Sequence, residues 1–133
     1  MSSYDVQAVS SAPPAAVFAL VADLTTWPSW QAIRSIRPDG DEWILGGGPR
    51  TVIRVTEIVP DRSLSYVETS ETLWRDYRAT IEVAPAPDGG SRIRWHATFR
   101  SRPRLLDPFW AFANGRLIRH HAAALARLAA ERQ

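Results

Sequence analysis

A chain of 133 residues, 45% of them hydrophobic, is long enough to bury one real core and short for two. It contains no cysteine, which excludes a disulfide framework and a thiolate metal site. Its sixteen basic residues are all arginine, fourteen acidic residues are scattered among them, and the net charge is +2. A phosphate-binding face clusters one sign of charge, so this balance speaks against a nucleic-acid partner. The absence of lysine beside abundant alanine, proline and glycine reads as the usage of a GC-rich genome. No basic segment followed by an apolar run opens the sequence, and no stretch approaches the ~20 apolar residues of a membrane span. The expectation is a soluble cytoplasmic protein with a single domain over residues 1–133.

Residues 4–11 predict a first strand. Pro13-Pro14 then suits the first turn of a helix, where a missing N–H had no partner to lose. Val17, Phe18, Leu20, Val21 and Leu24 follow as an apolar stripe. Thr25 and Thr26 are expected to stop that helix and cap the next, with Pro28 at or near the first position of a short second helix that ends around Gln31. From Ala32 to Arg100 the pattern becomes strand-like, interrupted by proline- and glycine-rich turns such as Pro38-Asp39-Gly40-Asp41 and Pro85-Ala86-Pro87-Asp88-Gly89-Gly90. Six more strands are expected at 33–37, 42–45, 50–59, 63–69, 74–84 and 91–100. Compact turns between short runs favour an antiparallel meander. Asp107-Pro108 then supplies a cap and a first-turn proline for a helix running to about Glu131.

The predicted order is β-α-α-β-β-β-β-β-β-α, an α+β arrangement in which a curved sheet grips one long helix. Placed at 100° per residue, Trp110, Ala113, Asn114, Leu117, His121, Ala124, Leu125 and Leu128 share one stripe of the last helix, while Arg116, Arg119 and Arg127 face water. Asn114 and His121 are therefore polar residues on the face that meets the sheet. An unsatisfied buried polar group costs roughly 1–3 kcal/mol, so both need a partner: backbone, water or ligand. The plain reading of His121 is a neutral core histidine bonded to a strand residue. In the sheet, alternation sends Tyr77, Ala79, Ile81 and Val83 inward, together with Ile93, Trp95, Ala97 and Phe99, and leaves His96 outside. Tyr77 and Trp95 suit either the wall of a ligand site or plain core filling. Alternation does not decide whether Arg54 and Glu68 face inward.

Three local patterns accompany this order: Ala12-Pro13-Pro14 with Val17-Phe18, Asp23 and the Trp27/Trp30 pair; Val55, Glu57 and Pro60 leading into Leu64–Val67; and Asp88-Gly89-Gly90-Ser91-Arg92-Ile93 opening the strand that holds Trp95. Together they resemble the START-like polyketide cyclase/dehydratase superfamily (SRPBCC), over most of the chain. The resemblance implies a helix-grip fold enclosing an apolar cavity between about seven antiparallel strands and the C-terminal helix. It also implies an apolar or aromatic small-molecule ligand, with Asn114, Trp95, Phe99, Trp110 and Leu117 as substrate-binding candidates. If a reaction follows, it is a cyclisation, dehydration or isomerisation without metal or cofactor, with His121 or Tyr77 moving the proton and Asn114 and Tyr77 polarising a carbonyl. The alternatives are a non-catalytic carrier or sensor of lipid-like molecules, and an interaction module without ligand. A homodimer is left open. The Trp27/Trp30 pair is read as structural, and no nucleophile elbow, phosphate-binding glycine loop or metal-ligand spacing is present.

Overall fold

The computed structural model describes residues 2–47, 50–70, 74–101 and 103–132. The chain opens with β1 (Ser2–Ser10), then α1 (Pro14–Ala22) and a 3-10 helix (Leu24–Ser29). Six strands follow: β2 (Ser35–Asp39), β3 (Glu42–Gly46), β4 (Thr51–Val59), β5 (Ser63–Glu68), β6 (Trp74–Pro85) and β7 (Ser91–Ser101). After a 3-10 turn over Arg104–Leu106, α2 (Asp107–Glu131) closes the fold. The strands form one antiparallel sheet in the order β1-β7-β6-β5-β4-β3-β2. The expected meander and its gripped helix are present, with strand ends moved by one or two residues.

Alternation builds the core. Tyr4 and Val6 on β1, Ile81 and Val83 on β6, and Ile93, Trp95 and Phe99 on β7 turn to one face and are buried there. Val17, Phe18, Leu20 and Val21 of α1 cover one end of that face. α2 packs chiefly along β1 and β7. Its buried line is Asn114, Ile118, His121, Ala122, Leu125, Ala126 and Ala129. This stripe is rotated from the predicted one: Leu117 is 45% exposed, and Ile118 takes the inward place. Alanines at 122, 126 and 129 supply much of this buried line, in place of some of the bulky residues that periodicity favours.

Several caps differ from expectation. Asp23, not a threonine, caps the 3-10 helix by accepting from the Thr25 amide at 3.1 Å, because a carboxylate two residues back reaches that orphan donor. Thr26 does end α1, its hydroxyl donating to the Leu20 carbonyl at 2.7 Å. Pro28 lies inside the 3-10 helix instead of opening it. Asp107 is the first residue of α2, and its carboxylate accepts from the Ser101 amide (2.8 Å) and hydroxyl (2.5 Å), fastening the end of β7 to the start of the helix. These two bonds hold the Asp107 carboxyl down at about 2. Ser10 and Ser91, both buried, donate to the carbonyls of Ala126 and Ala12 at 2.7 Å each, joining the sheet to α2 and to the connection that leads into α1. At Gly90 a Cβ would stand 2.3 Å from the Ser10 carbonyl oxygen, so the start of β7 needs glycine to run beside the end of β1.

Candidate functional site

Between the sheet and the N-terminal half of α2 lies a cavity of about 150 Å³. Trp27 and Gln31 contribute from the 3-10 helix and the connection after it, Leu45, Thr51 and Ile53 from β3 and β4. Tyr66 and Glu68 come from β5, Trp74 and Tyr77 from β6, and Asn114, Leu117 and Ile118 from α2. Every strand from β3 to β6 thus supplies part of one wall.

Local backbone geometry sets these side chains. On β5 the alternation Leu64, Tyr66, Glu68 carries the carboxylate to the inner face at the strand's end, where it stands opposite Ile53. On β4 the buried partner is Ile53, so Arg54 points outward and is exposed. Trp74 would face away from Tyr77 on a regular strand, three positions apart. The β6–β7 register shifts between Arg75 and Arg78, and Asp76 adopts a left-handed conformation (φ 53°). That bulge returns Trp74 to the inner face, where its ring meets Tyr77 at 6.0 Å and Phe99 at 5.8 Å.

The lining residues carry a set of unpaired polar atoms. Gln31 Nε2, Glu68 Oε2, Trp74 Nε1 and Asn114 Nδ2 are all buried and make no hydrogen bond among the described residues. Each such group costs roughly 1–3 kcal/mol if nothing occupies the space beside it. Burial pushes the Glu68 carboxyl up to about 7, and the nearby Trp74 indole opposes that shift without closing a full hydrogen bond. None of the described lining residues is an arginine, although the chain has sixteen basic residues. The site is therefore three donors and one readily protonated carboxyl in an aromatic and aliphatic shell.

Of the residues singled out from sequence, Tyr77, Asn114 and Leu117 line this cavity. The Tyr77 hydroxyl is hydrogen-bonded to the Tyr4 hydroxyl, and burial holds its phenol well above the ordinary range, so it stays protonated. Trp95 and Phe99 are fully buried and do not reach the lining; Phe99 stacks under Tyr77 at 5.6 Å. Trp110 stands behind Trp74 at 5.3 Å and supports it. His121 is outside the lining as well. Its Nε2 accepts from the Ala32 amide at 3.1 Å, so its partner is a loop backbone group and not the strand residue expected. Burial, and then the charge of His120, lower its pKa to about 4, which makes it a neutral core histidine near neutral pH.

Sequence reasoning missed Gln31 and Trp74 and left Glu68 open. Trp27, read as structural, has both roles: its indole N–H donates to the Val21 carbonyl at 3.0 Å while its ring faces the cavity. The signal for Glu68 was the Leu64–Tyr66–Glu68 alternation; nothing short of the bulge locates Trp74.

Other hollows lie on the surface. A groove of about 400 Å³ between β1 and α2 is bordered by Asp5, Arg116, Arg119 and His120, but Asp5 is already paired with Arg94 at 2.6 Å. On the outer face of the sheet His96 bonds Glu82 at 2.9 Å. Among the described residues no group of three or more His, Cys, Asp or Glu could hold a metal ion, and no helix is long and apolar enough to cross a membrane.

A family model described as polyketide cyclase/dehydrase and lipid transport matches residues 1–132. No curated protein matches the chain by sequence. Solved structures match across nearly its full length. A START superfamily protein from Mycobacterium smegmatis superposes with a TM-score of 0.84 at 12% identity, covering 98% of this chain and 99% of that one. A Thermobifida fusca protein studied in solution gives a TM-score of 0.74 at 23% identity, with 96% and 95% covered. The di-domain ARO/CYC BexL of the BE-7585A biosynthetic pathway gives 0.80 at 18% identity, covering 96% of this chain and 46% of BexL. At these identities the likeness is one of fold.

Proposed function

The chain belongs to the polyketide cyclase/dehydrase and lipid transport family, and from that premise we propose that it binds a compact, uncharged, largely flat organic molecule between its sheet and α2. The observation that carries this reading is the cavity itself, with four buried polar atoms left unpaired around an aromatic wall. Its volume of about 150 Å³ is below the ~300–1,000 Å³ that holds drug-sized ligands, which favours a one- or two-ring compound over a long-chain lipid. Trp27, Trp74, Tyr66 and Tyr77 offer ring faces and edges for stacking. The donors Asn114 Nδ2 and Gln31 Nε2 suit a carbonyl oxygen. With no arginine in the described lining, a carboxylate or phosphate ligand would meet Glu68 uncompensated.

The test is calorimetric titration of the full chain with flat bicyclic ketones and phenols. One-to-one binding is expected for the wild type. Leu45→Trp, which places an indole in the cavity, should weaken that binding at least about tenfold, since an apolar pocket filled from within has no room for a ring. Equal binding by both proteins would move the ligand elsewhere.

A further inference from the structure

We propose that Glu68 is the proton-transferring group of this cavity, and that the cavity enolises a compact uncharged ketone whose carbonyl oxygen accepts from Asn114 and Gln31. The inference rests on the ligand reading above and adds a reaction to it. Glu68 lines the cavity, and its Oε2 is buried with no hydrogen-bond partner among the described residues. A carboxylate kept for structure would hold a cation or a set of backbone amides; among the described residues this one has neither on Oε2. Asn114, Gln31 and Trp74 line the same cavity, each with a buried donor nitrogen that is unpaired among the described residues. A base held only loosely by the Trp74 indole, in one lining with the amide donors of Asn114 and Gln31, supplies the groups needed to take a proton from carbon and stabilise the oxyanion that results.

The step balances without an oxidant or co-reactant. The Glu68 carboxylate removes the α-proton; the C–H electron pair becomes a C=C bond, and the carbonyl π pair moves to oxygen as an enolate. The resulting carboxylic acid returns a proton to the same carbon, or to a neighbouring one in an isomerisation.

The other candidate groups are unsuited to the role. Tyr66 on β5 and Tyr77 on β6 share the lining with Glu68 and feel its charge, and burial keeps both phenols protonated. Among the described lining residues β3 and β4 offer Leu45, Thr51 and Ile53, and α2 and the segment after α1 offer the amides Asn114 and Gln31, the Trp27 indole being held by the Val21 carbonyl. His121 lies outside the lining with Nε2 occupied. Burial also brings the Glu68 carboxyl to about 7, where acid and base forms coexist near neutrality.

The experiment uses β-tetralone as probe, in deuterium oxide, with exchange of its α-protons followed by NMR and its binding followed in parallel by calorimetry. Wild-type protein should accelerate exchange above the buffer rate, and Glu68→Gln should remove that acceleration by about a hundredfold while still binding the ketone. A wild-type rate that climbs with pH and levels off above about 7 agrees with Glu68 as base; a rate that simply follows hydroxide overturns the inference, even if the variant fails to fold. Binding without exchange in the wild type, or exchange unchanged in Glu68→Gln, also overturns it and leaves the ligand reading standing. Neither binding nor exchange would overturn both.

Discussion

Glu68 holds a proton more readily in the folded chain than in the unfolded one, because burial raises its carboxyl from 4.5 to about 7. Its contribution to stability is therefore full at pH below 4.5 and is lost as pH rises through about 7. His121 is the opposite case. With its folded pKa lowered from 6.5 to about 4, its contribution is full above 6.5 and is lost as pH falls toward 4. Both side chains keep some solvent, so each effect is on the order of 1–2 kcal/mol after screening. Between pH 4.5 and 6.5 the two slopes oppose each other, and these two groups together should leave stability nearly flat there. Glu68→Gln should uncover a stability that rises with pH across that interval, and His121→Gln one that falls; urea denaturation at several pH values reads both. The alternation that sends Glu68 inward is present in the sequence. It is hard to believe there, since an acid sharing a face with Leu64 and Tyr66 contradicts the rule that makes the face legible. The buried position of His121 was legible from helical spacing, but its partner, 89 residues away in the chain, was not.

At the scale of elements, periodicity locates the seven strands and both α-helices but not the places where periodicity breaks. The β6 bulge is one of these: two residues oppose one, and an aspartate at φ 53° absorbs the turn. Asp76→Gly should preserve Trp74's position and stabilise by up to about 1 kcal/mol, since glycine takes positive φ freely. Asp76→Val should destabilise by a similar amount or more and change Trp74's fluorescence, because a β-branched residue resists that conformation. The rotated stripe of α2 gives a second case. Gly115 sits mid-helix, and an added Cβ would lie 3.4 Å from the Tyr4 Cβ, an ordinary contact. Gly115→Ala is expected to raise stability by about 0.5–1 kcal/mol through helix propensity alone, read as a higher unfolding midpoint. A lower midpoint would mean that α2 and β1 are packed more tightly than that spacing allows.

For the whole molecule, the cavity is a liability that a ligand would relieve. Engineered apolar voids cost ~24 cal/mol per Å³, so a dry space of about 150 Å³ would cost about 3–4 kcal/mol of the ~5–15 kcal/mol a domain has. Water on Asn114, Gln31 and Glu68 would reduce that cost without removing it, because much of the wall is aromatic or aliphatic. The family resemblance placed a cavity between sheet and helix, but residues 31, 68 and 74 meet there only through three separate segments. Two changes should therefore stabilise the protein by different routes. A ligand at a hundredfold excess over its Kd adds about 2.7 kcal/mol, roughly 10 °C in Tm for a domain of this size. Leu45→Trp should gain about 1 kcal/mol without ligand by filling apolar space and then show no further rise when ligand is added. Thermal melts of both proteins, with and without β-tetralone, separate these terms. If Leu45→Trp still gained the full ligand shift, the stabilising site would lie outside the cavity, and the surface groove between β1 and α2 would be the next place to look.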